Sequence, residues 1–492
     1  MLDKIFKSKI FIALYTPLLF LLACLITLKN QEIIGTVIFV YITAAMMLLS
    51  SRLTDAMLPA LLICVFATRC YNSADAFFAL VPYFIPPVVG VILHFVLYAK
   101  RLRFKVGPSF LGLCAVTLSV TLGGLGTIRA EEYFAGGALF YVFALGIGMI
   151  LFYLLVKANT DGDSARDVAR SVYVMGLFAC FCVLRFYADA WETVLVAKEF
   201  VEFQSSNNLA TLLMIAMPMP LFYASRRYVD ILSVVLMYVC VILSGSRGGL
   251  LMGTVEFILI FFAFAIYEKR IFNRILYAVL GLSFVVAIVK LIPEIASFCK
   301  IDLGAAEEGG ALTLADYITK MKEYFMRDGE SRMSLLDRVM GDFKSNPVFG
   351  VGIGYTGNTD IYNPVKGAMN WYHMWFAQVI GGLGVVGILA YGYQLVGRVI
   401  IFFKNRNLLH FTFAVSYVGL FLMSQVNPGE FCPMPYAALA MTYFALMEKD
   451  SVDIKDIRML FGKKKAAAVT VSADTPVASA TAEAADSDAP SP

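Results

Sequence analysis

Long apolar stretches separated by short polar connections run through most of the chain, near positions 10–28, 33–50, 54–70, 77–99, 107–125, 136–156, 170–190, 207–224, 229–243, 248–267, 273–292, 375–402, 408–426 and 432–448. A helix that crosses a bilayer needs roughly 20 apolar residues. The pattern predicts an all-α polytopic membrane protein with about 14 (12–14) transmembrane helices. The first run follows Lys4, Lys7 and Lys9 as in a signal sequence. Apolar sequence continues past Cys24, so the reading is an uncleaved first span.

Basic residues gather in every second connection, at Arg52, Lys100 to Lys105, Lys157 to Arg170, Arg226/Arg227, Lys269 to Arg274, Lys404/Arg406 and Lys463 to Lys465. Such clusters mark cytoplasmic turns, so both termini are expected inside. The one long connection, 293–372, then lies on the outer face as an extracytoplasmic loop, together with the Ser244-Gly245-Ser246-Arg247-Gly248-Gly249 turn. Within that loop, Thr313 to Arg327 and Ser331 to Ser345 have helical spacing. The second places Met333, Leu336, Met340 and Phe343 on one stripe, and both are expected to be amphipathic helices that can lie on the membrane surface. Asn346-Pro347 stops the second helix, and Gly350-Val351-Gly352-Ile353-Gly354 supplies a turn of little bulk. Three parts follow: an N-terminal transmembrane bundle (1–206), a transmembrane core with the outer loop (207–448), and a cytoplasmic tail (449–492), disordered from about 466.

Composition agrees: 60% of residues are hydrophobic and 15% charged, and the mean hydropathy is +0.75, more apolar surface than a soluble core buries. A net charge of +4 is too balanced for a nucleic-acid binder, and the nine scattered cysteines form no CxxC pair. No fixed-period repeat and no matching pair of broken helices point to a transporter.

Three residues carry candidate chemistry. Arg247, among Gly245, Gly248 and Gly249 at a membrane boundary, can offer its guanidinium and nearby N–H groups to a phosphate, or can simply snorkel to the interface. Arg332 stands near the start of the second loop helix, before Leu335, Leu336 and Val339, where it either meets a partner or is solvated, and Arg338 points elsewhere. His373 is one of three histidines, with His94 and His410, and alone stands where the outer loop meets the membrane. It can accept a proton from a hydroxyl, or be a structural member of an aromatic belt with Trp371, Tyr372 and Trp375. The loop's acids are dispersed, so no metal and no cofactor is expected.

In order and spacing, Arg332, Asn346-Pro347, Gly350 to Gly354, His373 and Gly381-Gly382-Leu383-Gly384-Val385-Val386-Gly387 resemble the O-antigen ligase and polymerase superfamily. Ser244 to Leu251 and Asn207-Asn208-Leu209-Ala210 with Pro218 are similar to it as well, and the resemblance covers roughly 200–430. It implies a metal-independent glycosyltransferase of a bacterial inner membrane. Such an enzyme moves glycan on the outer face from an undecaprenyl-diphosphate carrier to a glycan or lipid acceptor. On that resemblance Arg247 and Arg332 hold the diphosphate with Gly248 and Gly352 beside them, and His373 is the general base. Many relatives have Asn after the histidine, where this chain has Met374. The rival from another class is a flippase or exporter of lipid-linked oligosaccharide, which calls for charges inside the spans. Here Arg185 is the main such residue in the sequence.

Overall fold

A computed structural model describes residues 9–70, 81–99, 102–190, 206–223, 227–268, 270–291, 329–355, 372–404, 406–427, 429–448 and 450–455. They are helical almost throughout. The N-terminal helices are α1 (Lys9–Leu28), α2 (Glu32–Leu49), α3 (Thr54–Cys70), α4 (Ile85–Tyr98), α5 (Pro108–Leu122), the short α6 (Ala130–Tyr133), α7 (Gly136–Leu145), α8 (Ile147–Asn159) and α9 (Ser164–Asp189). Next come α10 (Ser206–Ala216), α11 (Arg227–Leu243), α12 (Arg247–Tyr267), α13 (Ile271–Lys290), α14 (Gly329–Ser345), α15 (Trp375–Lys404), α16 (Leu408–Met423) and α17 (Ala438–Met447). One two-residue ladder joins β1 (Lys105–Val106) to β2 (Val452–Asp453).

Among the described residues, five helical segments are long and apolar enough to cross a membrane, and seven shorter apolar ones accompany them. These account for twelve of the expected runs; the runs at 207–224 and 432–448 are not among them. The first yields α10 of 11 residues, about 16 Å long, followed by a 3-10 turn Met219–Tyr223. Pro218 and Pro220 offer no N–H to continue the helix. The second yields a π-turn, Pro433–Ala437, ahead of the 10-residue α17. Both are interior pieces: Leu209 to Met217 are buried without a break, as are Ala438 to Ala445. An apolar run inside a bundle and one facing lipid have the same composition, so hydropathy alone does not tell them apart.

Lipid-facing surface is supplied by helices around this interior. On α2 the stripe Gly35, Thr36, Phe39, Val40, Thr43 and Ala44 is buried, while Ile33, Ile34 and Tyr41 face outward. Phe272 and Leu389 are about 70% exposed (73% and 68%), an apolar periphery suited to a bilayer.

Polar contacts divide the connections between two ends. At the basic end Arg52 pairs with Asp55 (2.7 Å) and Asp167 (2.9 Å), Lys157 with Glu448 (3.2 Å) and Lys404 with Asp450 (3.6 Å). There the first residues after α17, placed by sequence in a tail, dock through β2 and a Lys157 Nζ bond to Ser451 Oγ. At the opposite end Ser246 bonds to Asn207, Asn427 to Asn208, and Trp375 N–H to the Ser424 carbonyl. The basic clusters separate the same connections.

Helix α15 is broken at Gly384 (φ 62°, ψ −156°). The segment 347–352 lies across the break and completes its hydrogen bonds. Val351 and Gly352 N–H donate to the Gly381 and Gly382 carbonyls (3.0 and 2.9 Å), and Val385 and Val386 N–H donate to the Pro347 and Val348 carbonyls (2.9 and 3.1 Å). The backbones approach so closely that a Cβ on Gly384 would stand 2.6 Å from Gly350 N, and one on Gly350 (φ 65°) 2.5 Å from Leu383 N. Gly384→Ala is therefore expected to cost about 1–3 kcal/mol in backbone strain alone, with the collision added. A thermal unfolding midpoint equal to wild type in the purified variant would contradict this splice.

Candidate active site

The splice fixes what stands on either side of it. Asn346 ends α14. Its Oδ1 accepts from Phe349 N–H (3.2 Å), and its Nδ2 donates to the Leu125 carbonyl (2.8 Å) and Thr127 Oγ1 (2.9 Å), tying the loop to the end of α5. Helix α14 then lies against the start of α15, with Leu335 and Val339 buried on Tyr372 and Ala377. The stripe expected from the sequence is thus the outer side of α14: Leu336 and Met340 are 41% and 47% exposed, and the packed face is one position over.

Tyr372 is fully buried, its hydroxyl donating to Asp342 Oδ2 (2.6 Å) and its N–H to Gln378 Oε1 (3.1 Å). Arg338 faces the start of α15. It lies 3.8 Å from Asp342 Oδ2 and over the Tyr372 ring at 5.6 Å. Trp375, two residues past His373, is buried against Phe376, Tyr391 and Phe421. Between these anchors His373 is exposed and takes a left-handed backbone conformation, φ 51°. Histidine adopts that region more readily than most side chains, but still uncommonly. Of the expected belt, Tyr372 and Trp375 are buried, and Trp371 lies outside the described residues.

Arg247 opens α12 and is half-buried. Ser246 caps the helix: its Oγ accepts from Gly249 N–H (2.9 Å) and donates to Asn207 Oδ1 (2.7 Å). Gly248 lets this end of the helix pack on Val426, and Gly249 does the same toward Ala210. Val426 belongs to the turn after α16, whose Ser424 carbonyl accepts from Trp375 N–H (2.7 Å). The turn 424–427 thus borders the Arg247 helix on one side and the His373 segment on the other. Gly352 is buried in the splice, and its N–H is engaged by Gly382. Arg332 is on the first turn of α14, and its side chain lies outside the described residues, as does the helix expected at 313–327.

Residues 232–392 match the family model for O-antigen ligase. Over that stretch the chain is similar to O-antigen ligases. The stretch takes in Arg247, α14, the splice and His373, and it ends within α15. It is shorter than the 200–430 span of the sequence resemblance, so Asn207 and the 424–427 turn border it from outside. No curated protein matches the chain.

Sequence reasoning missed Tyr372, Asp342, Arg338 and Gln378 as supports of the His373 segment, because their pairing crosses from α14 to the start of α15. The available signal was the spacing of Arg338 and Asp342, one helical turn apart. Removing the Tyr372 hydroxyl leaves a buried carboxylate short of a donor. Tyr372→Phe is expected to cost about 1–3 kcal/mol, read as a lowered unfolding midpoint. An unchanged midpoint would mean that the Tyr372–Asp342 bond does not hold α14 to α15.

Proposed function

We propose that the end of the bundle bearing His373 transfers glycan from a lipid-diphosphate carrier to an acceptor hydroxyl. The observation that carries this reading is the exposed, left-handed His373 held between two buried aromatic anchors inside the stretch similar to O-antigen ligases. An imidazole fixed by its own backbone, not by a long flexible side chain, is well placed to accept a proton from an incoming hydroxyl. Arg247 and Arg332 bind the diphosphate and stabilise its charge as the glycosidic oxygen–carbon bond breaks, since planar guanidinium groups match phosphate oxygens. Gly248 permits close approach of the Arg247 helix to the neighbouring turn, and Gly352 serves the site through the splice behind it.

In the reaction, the acceptor oxygen loses its proton to His373 and attacks the anomeric carbon. The bond from that carbon to the carrier's phosphate oxygen breaks, and the electron pair leaves with the diphosphate, next to the two arginines. The basic clusters favour this end outside and both termini in the cytoplasm, and the family resemblance supports a bacterial inner membrane. The carrier is of the undecaprenyl-diphosphate type, and the acceptor is a second glycan or a lipid. No metal is required by this scheme, because the arginines supply the positive charge.

Two variants test it in a deletion strain complemented at matched protein abundance. His373→Ala is expected to abolish the surface glycan without changing membrane insertion; a normal glycan profile by gel refutes the base role. Arg332→Lys is expected to be nearly as damaging as Arg332→Ala, since lysine lacks the planar fork. Full rescue by lysine would mean that charge alone suffices. In the null strain, single repeat units without a length ladder identify a polymerase, and full-length polymer left on its carrier identifies a ligase.

A further inference from the structure

The interior of the bundle holds a carboxyl group that the transfer scheme does not use. Glu256, midway along α12, is fully buried, and neither side-chain oxygen has a hydrogen-bond partner. It belongs to the packed stripe Gly249, Gly253, Glu256, Phe257 and Ile260. On the facing helix α16 only a glycine makes room for it, because a Cβ on Gly419 would collide with the carboxyl group.

Its depth follows from the register of α12 beside α10. Ser246 bonds to Asn207, Gly249 abuts Ala210 and Gly253 abuts Met214, each pair 39 residues apart. The same offset sets Glu256 level with Met217, where α10 ends. At that break Pro220 supplies no N–H to the Ala216 carbonyl and Pro218 none to the Met214 carbonyl, which accepts instead from Met217 N–H (3.2 Å), and the helix presents the negative end of its dipole. The neighbouring Ser416 hydroxyl is already committed, donating to the Ile215 carbonyl (2.6 Å) beside the Tyr443 hydroxyl (3.3 Å). The surroundings are thus rich in acceptors. An unpaired carboxylate in such a place, far from water, needs positive charge.

We propose that Glu256 and the broken end of α10 form an intramembrane site for one small monovalent cation, a proton or a sodium ion. A carboxylate beside unwound backbone carbonyls is suitable chemistry for either. The titratable side chains facing this region from the packed elements are Tyr443 on α17, Tyr238 on α11 and Tyr277 on α13. Besides Glu256 itself, the charged groups of α11, α12, α13 and α16 are at or near helix ends: Arg227, Asp230, Arg247, Arg274, Lys290 and His410. The Arg398–Glu430 pair is closed on itself through Tyr417.

The test uses purified full-length protein and needs no glycan, so its outcome is independent of the transferase reading. Thermal unfolding is followed in sodium chloride against choline chloride at equal ionic strength, and from mildly acidic to mildly alkaline pH, for wild type and Glu256→Gln. A sodium site raises the wild-type midpoint by several degrees in sodium. A proton site lowers it as the pH rises and the carboxyl loses its proton, with no sodium effect. In either case Glu256→Gln flattens the dependence. The proposal is overturned if wild type responds to neither ion, or if Glu256→Gln responds as wild type does. Should Glu256→Gln fail to fold, Glu256→Met gives the same comparison.

Discussion

Four backbone hydrogen bonds between the 347–352 segment and the broken middle of α15 are the constraint on which the candidate site rests. A helix interrupted inside a bundle leaves carbonyls on one side and amides on the other without partners, each costly to bury. The loop segment supplies both sets in register. The 347–352 segment is thereby joined to α15 through main-chain atoms, and α14 and His373 inherit fixed positions. The glycines are required by closeness: Gly350 and Gly384 leave no space for a Cβ on either strand of the crossing.

Around that crossing, the polar groups serve alignment more than solvation. Asn346 fastens the loop to α5, Tyr372 bridges α14 and α15 through Asp342 and Gln378, and the 424–427 turn links the Arg247 helix to the His373 segment. Three separately encoded elements in and beside the stretch similar to O-antigen ligases therefore meet at one end of the bundle. At the other end, ion pairs such as Arg52 with Asp55 and Asp167 hold the connections together. Buried charge is also more abundant than the sequence suggested. Arg185 pairs with Asp189 in a partly exposed position, whereas Glu256, Arg398, Glu430 and Lys157 are deeply placed.

Much of this was legible in the sequence. Apolar runs located twelve of the described apolar helices, and the alternation of basic residues grouped the connections as the contacts do. Asn346-Pro347 and the glycine motif marked the end of α14 and a tight turn. What was hidden depends on partners distant in the chain. Pro218 and Pro220 stand where α10 breaks, but hydropathy counted 207–224 as one run and could not tell that the helix is interior. Spacing set the Met333–Phe343 stripe, yet the face that packs is chosen by Tyr372, whose contact only the fold creates. The sequence singled out Arg185 and not Glu256, whose setting depends on Gly419, distant in the chain.

The central claim is that the glycine splice presents one anionic-carrier site bordered by the Arg247 helix, α14 and His373. The most direct measurement is a cryo-EM density map of the full-length protein in lipid nanodiscs with undecaprenyl diphosphate. The account predicts diphosphate density in contact with Arg247 and Arg332 and beside His373. Density at any other part of the bundle, with this end empty, would contradict it.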